Sequence, residues 1–196
     1  MRGRIGFVVM AAVAGVLVEA PSLAAHHLWK LTEIFSNASG SVQYVQLLTS
    51  DATETNVGGF TVTASGGTFT FASNLTGSTA NKWILLATSS FASVPHGVPP
   101  DGIIPPGFLS TGGGTIDYAS GTDVWSYGAV PTDGVRSLMR DGTTPVNSAT
   151  NFAGATGSVN LSAAAPALPG WAIVAGIGTL LLAGSGLLRA RQTAGG

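Results

Sequence analysis

The chain contains no cysteine, so no disulfide can staple its fold, and thiol catalysis and cysteine-based zinc sites are excluded. Charge is almost as scarce. Asp, Glu, Lys and Arg together make up 9% of the 196 residues, against roughly 25% in a typical soluble domain. Between His26 and Leu168 eight acidic residues face only four basic ones, Lys30, Lys82, Arg136 and Arg140. A mildly acidic stretch with no Lys/Arg cluster cannot displace phosphate counterions, so nucleic acid is not expected as a partner. Also missing between residues 26 and 165 is any sustained i, i+3, i+4, i+7 apolar rhythm, which argues against a long amphipathic helix there. The length allows one domain plus processing segments.

What the chain does have begins with an apolar N-terminus. Arg2 and Arg4 precede an apolar centre from Ile5 to Val18, and Ser22-Leu-Ala24 or Leu23-Ala-Ala25 supplies a small-residue cleavage site. Residues 1–25 therefore read as a secretory signal peptide, which implies the Sec machinery and signal peptidase as partners.

From Leu28 onward short β-type runs alternate with turn formers. Leu28–Phe35 is expected to place Trp29, Leu31 and Phe35 on one side and Lys30 and Thr32 on the other. Val42–Leu48, Phe60–Thr63 and Thr68–Phe71 read as further strands, the last two joined by a turn at Ser65-Gly-Gly67. Trp83–Ala87 is a continuous apolar run, as in a central strand covered on both faces. Residues 95–108 form a long Pro/Gly connection around a buried-looking Ile103-Ile104 step. Thr115–Tyr118 and Val124–Tyr127 follow, and Asp133-Gly134 and Asp141-Gly142 bracket Val135–Arg140 as a last hairpin arm. Residues 143–165 offer little to bury and read as an irregular strap followed by a flexible linker. The expected fold is all-β, a sandwich or small barrel, over residues 26–142.

The C-terminal segment, residues 166–196, has three parts. Ala165-Pro-Ala-Leu-Pro-Gly-Trp171 is a Pro-marked hinge, Trp171–Leu188 is an uncharged apolar run, and Arg189 and Arg191 form a basic stop. At 1.5 Å per residue the 18-residue run reaches about 27 Å, just enough for a hydrocarbon core of roughly 30 Å. It predicts a transmembrane helix. The arginines place its C-terminus in the cytoplasm and the β domain outside. This tail resembles the C-terminal protein-sorting signals of Gram-negative bacteria, the PEP-CTERM class handled by exosortases, and most closely the IPTL-CTERM variant. Pro166, Leu168, Pro169 and Trp171 match that motif, while Ala165, Ala167 and Gly170 depart from it. The resemblance implies inner-membrane retention, cleavage near the Pro motif by an exosortase-like protease, and release to the outer surface or extracellular matrix. A permanent single-pass anchor is the alternative.

The upstream domain resembles a lamin-tail-type domain, an immunoglobulin-like β-sandwich. Thr32-Glu33-Ile34, Gly40, Tyr44-Val45-Gln46-Leu47 and Gly58-Gly59-Phe60 stand at that family's positions, with Gln46 where the family has a second Glu. The resemblance implies a binding or scaffolding module with no chemistry of its own.

Candidates for chemistry are few. If cleavage follows Ala24, His27 stands third, and a free amine, two amides and an imidazole can chelate Cu²⁺. Cleavage one residue later leaves His26 at the terminus, again a copper ligand. Asp51, Glu54, Asp101, Asp117 and Asp123 would need to converge to hold Ca²⁺. His96 lies between Pro95 and Gly97 with no G-x-S-x-G elbow in the chain, and Gly112-Gly-Gly114 lacks the Lys-Ser/Thr of a phosphate loop. Trp29, Trp83 and Trp125 are read as core, with a sugar platform as the other use. The sequence thus predicts no enzyme and no cofactor. It predicts an exported structural or adhesive surface protein; the alternative is a displayed carbohydrate- or metal-binding module, with extracellular polysaccharide as its partner.

Overall fold

The computed structural model describes residues 25–162. The expected signal peptide, apart from Ala25, and the whole segment from Pro166 to Gly196 lie outside the described residues. Among the described residues no helix is long and apolar enough to cross a membrane.

The described chain is all-β. Its strands are β1 (Lys30–Ser36), β2 (Gln43–Thr49), β3 (Thr61–Ala64), β4 (Gly67–Thr70), β5 (Lys82–Thr88), β6 (Gly102–Ile104), β7 (Gly114–Tyr118), β8 (Asp123–Tyr127), β9 (Leu138–Met139), β10 (Ala149–Thr150) and β11 (Thr156–Gly157). One 3₁₀ turn, Phe91–Ser93, is the only helical element among them. The longer strands fall where β-branched and aromatic residues alternate between turn signals, as the pattern predicts.

Two sheets face each other. One has the order β6-β5-β2-β1-β9, the other β4-β3-β7-β8. All pairs are antiparallel except β5 with β6. Between the sheets lies the main core. Leu31, Ile34, Val45, Leu47, Ile84 and Leu86 come from the five-stranded sheet and meet Val62, Ile116, Tyr118 and Trp125 from the four-stranded one. Period-two alternation explains this division along β2 and β5.

On β1 the alternation breaks. The register with β2 shifts between Leu31 and Glu33, a β-bulge, and one extra residue reverses every later side chain. Leu31 and Ile34 therefore both face the main core. Phe35, expected beside Trp29 and Leu31, lies on the opposite face with Glu33. This corrects the simple alternation read from the sequence.

That opposite face carries a second core. Phe35, Val42, Tyr44, Leu85, Ala87, Phe91, Val98, Ala149 and Val159 pack there. Tyr44 stacks on Phe35 at 5.3 Å between ring centroids and meets Phe91 edge-on at 5.3 Å. The central-strand reading of Trp83–Ala87 holds, because Ile84 and Leu86 serve the first core and Leu85 and Ala87 the second.

Residues 143–162 provide the cover. They form the β10–β11 ladder, and Asn147, Ala149 and Val159 are essentially sealed from solvent. Up to residue 162, then, the segment expected as a strap with little to bury is an integral layer of the fold. Elsewhere the structure corrects one burial: in the Ile103-Ile104 step only Ile104 is buried, and Ile103 is 56% exposed.

Two turns rest on glycine. Gly66 at the β3–β4 hairpin approaches the 105–108 loop so closely that a Cβ would sit 2.0 Å from the Gly107 carbonyl oxygen, and its amide donates to the Phe108 carbonyl. Gly134 adopts φ +77°, a conformation that L side chains rarely take. Its neighbour Asp133 locks the same turn, accepting the amides of Val135 and Arg136 at 2.8 Å and the Arg136 Nε–H at 2.7 Å.

Those bonds, the Arg136 amide and side chain first, hold the Asp133 carboxyl down to about 2. A carboxylate whose folded value lies below its unfolded one adds stability above the unfolded value, and the contribution is lost as pH falls through the folded one. Asp133→Asn is accordingly expected to unfold more readily than the wild type near neutrality. The gap closes as pH falls from about 4 to about 2. Urea midpoints across that range measure it, and a gap that stays constant would refute the assignment.

Candidate functional site

His26 and His27 lie near the start of the described residues. His26 stacks on Phe60 at 3.7 Å between ring centroids, and its carbonyl accepts the Tyr118 hydroxyl at 2.9 Å. His27 is exposed, its ring 6.2 Å from that of His26. The Ala25 amide donates to the Thr53 carbonyl and the Ala25 carbonyl accepts from Asn56. A square-planar copper complex through an Ala25 amine would require the first of these bonds to open. Among the described residues no three His, Asp or Glu side chains come together in a way that could hold a metal ion.

The five carboxylates named for calcium are dispersed, and each holds backbone amides. Asp51 accepts the Thr53 amide and hydroxyl at 2.7 Å, and these bonds lower its carboxyl. Glu54 accepts the Leu28 amide at 2.8 Å. Asp101 takes the amides of Leu85 and Phe152 at 2.8 and 2.9 Å, and burial raises its carboxyl despite them. Asp117 takes the Gly121 amide at 2.6 Å. Asp123 accepts the Leu31 amide at 2.8 Å and pairs with Arg140 at 2.5 Å and Lys30 at 3.4 Å. Spent in this way, these side chains serve as turn locks and inter-strand ties.

His96 is exposed on a turn at φ +64°, and no serine or acid shares a hydrogen bond with it among the described residues. Gly114 opens β7, so the glycine triplet is a turn leading into a strand. Trp29, Trp125 and Tyr127 are buried, which removes them from any surface platform. Trp83 is different. It is only half-buried and sits near the start of β5, opposite Leu48.

The residues that sequence reasoning passed over for chemistry are the polar ones on the second face. Glu33, 3% exposed, accepts the Tyr44 hydroxyl at 2.5 Å and the Ser148 amide at 3.1 Å through one oxygen. Burial first, and then the Glu33 carboxylate, hold the Tyr44 hydroxyl well above the usual tyrosine range. Gln46, the cross-strand partner of Glu33, accepts the Thr150 amide at 2.9 Å. Asn147 donates to the Val135 and Val159 carbonyls at 2.6 and 2.7 Å and accepts the Val159 amide at 2.9 Å. The one available signal was an acid and an amide inside apolar strands, at positions 33 and 46. Pro166, Leu168, Pro169, Trp171, Arg189 and Arg191 lie outside the described residues.

No protein-family model matches this chain, and no curated protein or solved structure shows significant similarity to it.

Proposed function

We propose that this chain is an exported bacterial surface or extracellular-matrix protein with a structural or adhesive role and no catalytic activity. In this reading the Sec machinery exports the chain and signal peptidase removes residues 1–24 or 1–25. The tail built on Pro166, Leu168, Pro169, Trp171, Arg189 and Arg191 then holds the protein in the inner membrane, where an exosortase-like protease releases the β domain. We further read the sandwich as a lamin-tail-type immunoglobulin-like domain. Support for that comes from Glu33 and Tyr44, two residues of the resembling pattern, which are bonded to each other on one sheet face, with Gln46 standing beside them where the family has a second Glu.

The observation that carries the non-catalytic reading is the dispersal of the acidic side chains. Each one proposed for chemistry is committed to backbone amides of a turn or a neighbouring strand. Catalysis needs convergent groups poised around a reacting atom, and a cysteine-free sandwich braced by such ties suits a durable surface module instead. Cell fractionation with mass mapping of both termini tests the sorting. The mature protein is expected to begin at Ala25 or His26 and to end near the Pro motif in the surface or medium fraction. A tail that stays intact in all of the protein at steady state overturns release, and would favour a permanent anchor.

A further inference from the structure

Where residues 145–150 cross the second face of the five-stranded sheet they leave a groove of about 270 Å³ uncovered, close to the lower end of small-ligand sites. Its floor is Glu33 and Gln46, one wall is Trp83, and Met139, Val146 and Thr150 line the remainder. Glu33 and Gln46 are 3% and 1% exposed, so both are polar side chains set into a largely apolar cleft. The side-chain hydrogen bonds of each use one atom: Oε1 of Glu33 serves Tyr44 and Ser148, and Oε1 of Gln46 serves Thr150. Glu33 Oε2 and Gln46 Nε2 have no partner among the described residues. Neither is fully sealed, unlike the unpaired hydroxyls of Tyr127 and Ser137 among the described residues. Both therefore open to the groove.

We infer that this groove binds one neutral pyranose unit of a polysaccharide. A free acceptor and a free donor on paired strands match two neighbouring hydroxyls, each of which donates and accepts. The half-buried Trp83 indole offers the apolar C–H face of a sugar ring a flat surface. Anionic sugars fit poorly, because Glu33 brings negative charge and no cation lines the groove. Burial of Glu33 and Gln46 fixes their orientation before a ligand arrives, which lowers the ordering cost of binding. The inference goes beyond the surface-module reading and does not depend on how the chain is sorted.

The test uses the full-length chain in detergent micelles whose headgroups contain no sugar. Methyl β-glucopyranoside, methyl β-galactopyranoside, methyl α-mannopyranoside, N-acetylglucosamine and, as an anionic control, glucuronate are titrated while the Trp83 indole and Gln46 side-chain amide resonances are followed. At least one neutral sugar is expected to give saturable shifts with a Kd of about 1–10 mM, and glucuronate none. Trp83→Ala should weaken the effect on Gln46 about tenfold. Val146→Trp should abolish it by filling the groove from a side chain that is 59% exposed, and so without touching the buried network. Absence of saturable shifts with all four neutral sugars overturns the proposal, as do shifts that survive both variants. Release or retention of the tail leaves either result unchanged.

Discussion

A chain ending at Gly142 is expected to lose cooperative folding, whereas one ending at Ser162 keeps it. Residues 143–162 look dispensable by composition, being mostly Ser, Thr, Asn, Ala and Gly. Their removal nevertheless uncovers Phe35, Tyr44, Leu85 and Phe91, all fully buried in the second core. Each such side chain is worth about 1.5–3 kcal/mol on burial, so the four together approach the total stability of about 5–15 kcal/mol that a domain has. The shortened chain also loses the Ser148 and Thr150 amides from Glu33 and Gln46, and the Phe152 amide from Asp101. With Asn147 gone, the Val135 carbonyl is left without the amide and the side chain that both donate to it. Urea unfolding followed by tryptophan fluorescence, with amide NMR dispersion beside it, makes the comparison. A sharp transition and a dispersed spectrum for the chain ending at Gly142 would show that the second core closes without its cover.

Why this layer was illegible in the sequence follows from how it is attached. Periodicity registers apolar side chains, and residues 143–162 supply few of them. They are stitched down instead by amides reaching buried carboxylates and carboxamides on other strands, and a one-dimensional pattern does not encode such bonds. The need for a cover was legible all the same. Trp83–Ala87 reads as a strand covered on both faces, which requires a further layer over the sheet. The strands themselves could be read because turn signals such as Ser65-Gly-Gly67 and Asp141-Gly142 punctuate clear alternation. The bulge at Leu31/Glu33 could not, since Ile34 and Phe35 are both apolar and either phase fits. The candidate site shares that fate. Glu33 reaches the second face only because the bulge turns it there, so the groove it floors was hidden behind a one-residue slip.

The same bulge sets the second large effect. Asp123→Ala is expected to destabilise the domain by about 2–4 kcal/mol, the cost of one orphaned buried amide with that of a partly screened ion pair. At the register shift β1 departs from the regular ladder, and its backbone groups take Asp123 and Arg140 as partners instead. The Leu31 amide donates to Asp123 at 2.8 Å, the Leu31 carbonyl accepts from Arg140 Nη1 at 3.1 Å, and the Thr32 carbonyl accepts the Arg140 amide. Asp123 opens β8 in the other sheet and is 6% exposed, so this cluster also ties the two sheets together. Lys30 adds little, being half exposed at 3.4 Å. Arg140 is 38% exposed, so solvent screens part of its attraction. The larger share of the loss therefore comes from the Leu31 N–H, left buried with no acceptor. That ordering has a consequence. Asp123→Asn keeps an acceptor for Leu31 while discarding the charge, and should cost less than half as much as the alanine variant. Arg140→Ala deletes the cation and leaves the buried Asp123 carboxylate with only the half-exposed Lys30 as counter-charge, but it keeps the Leu31 amide bonded, so it should cost less than Asp123→Ala. Urea denaturation of the three variants decides the matter: an asparagine variant as unstable as the alanine one would make the ion pair, and not the orphaned amide, the main tie.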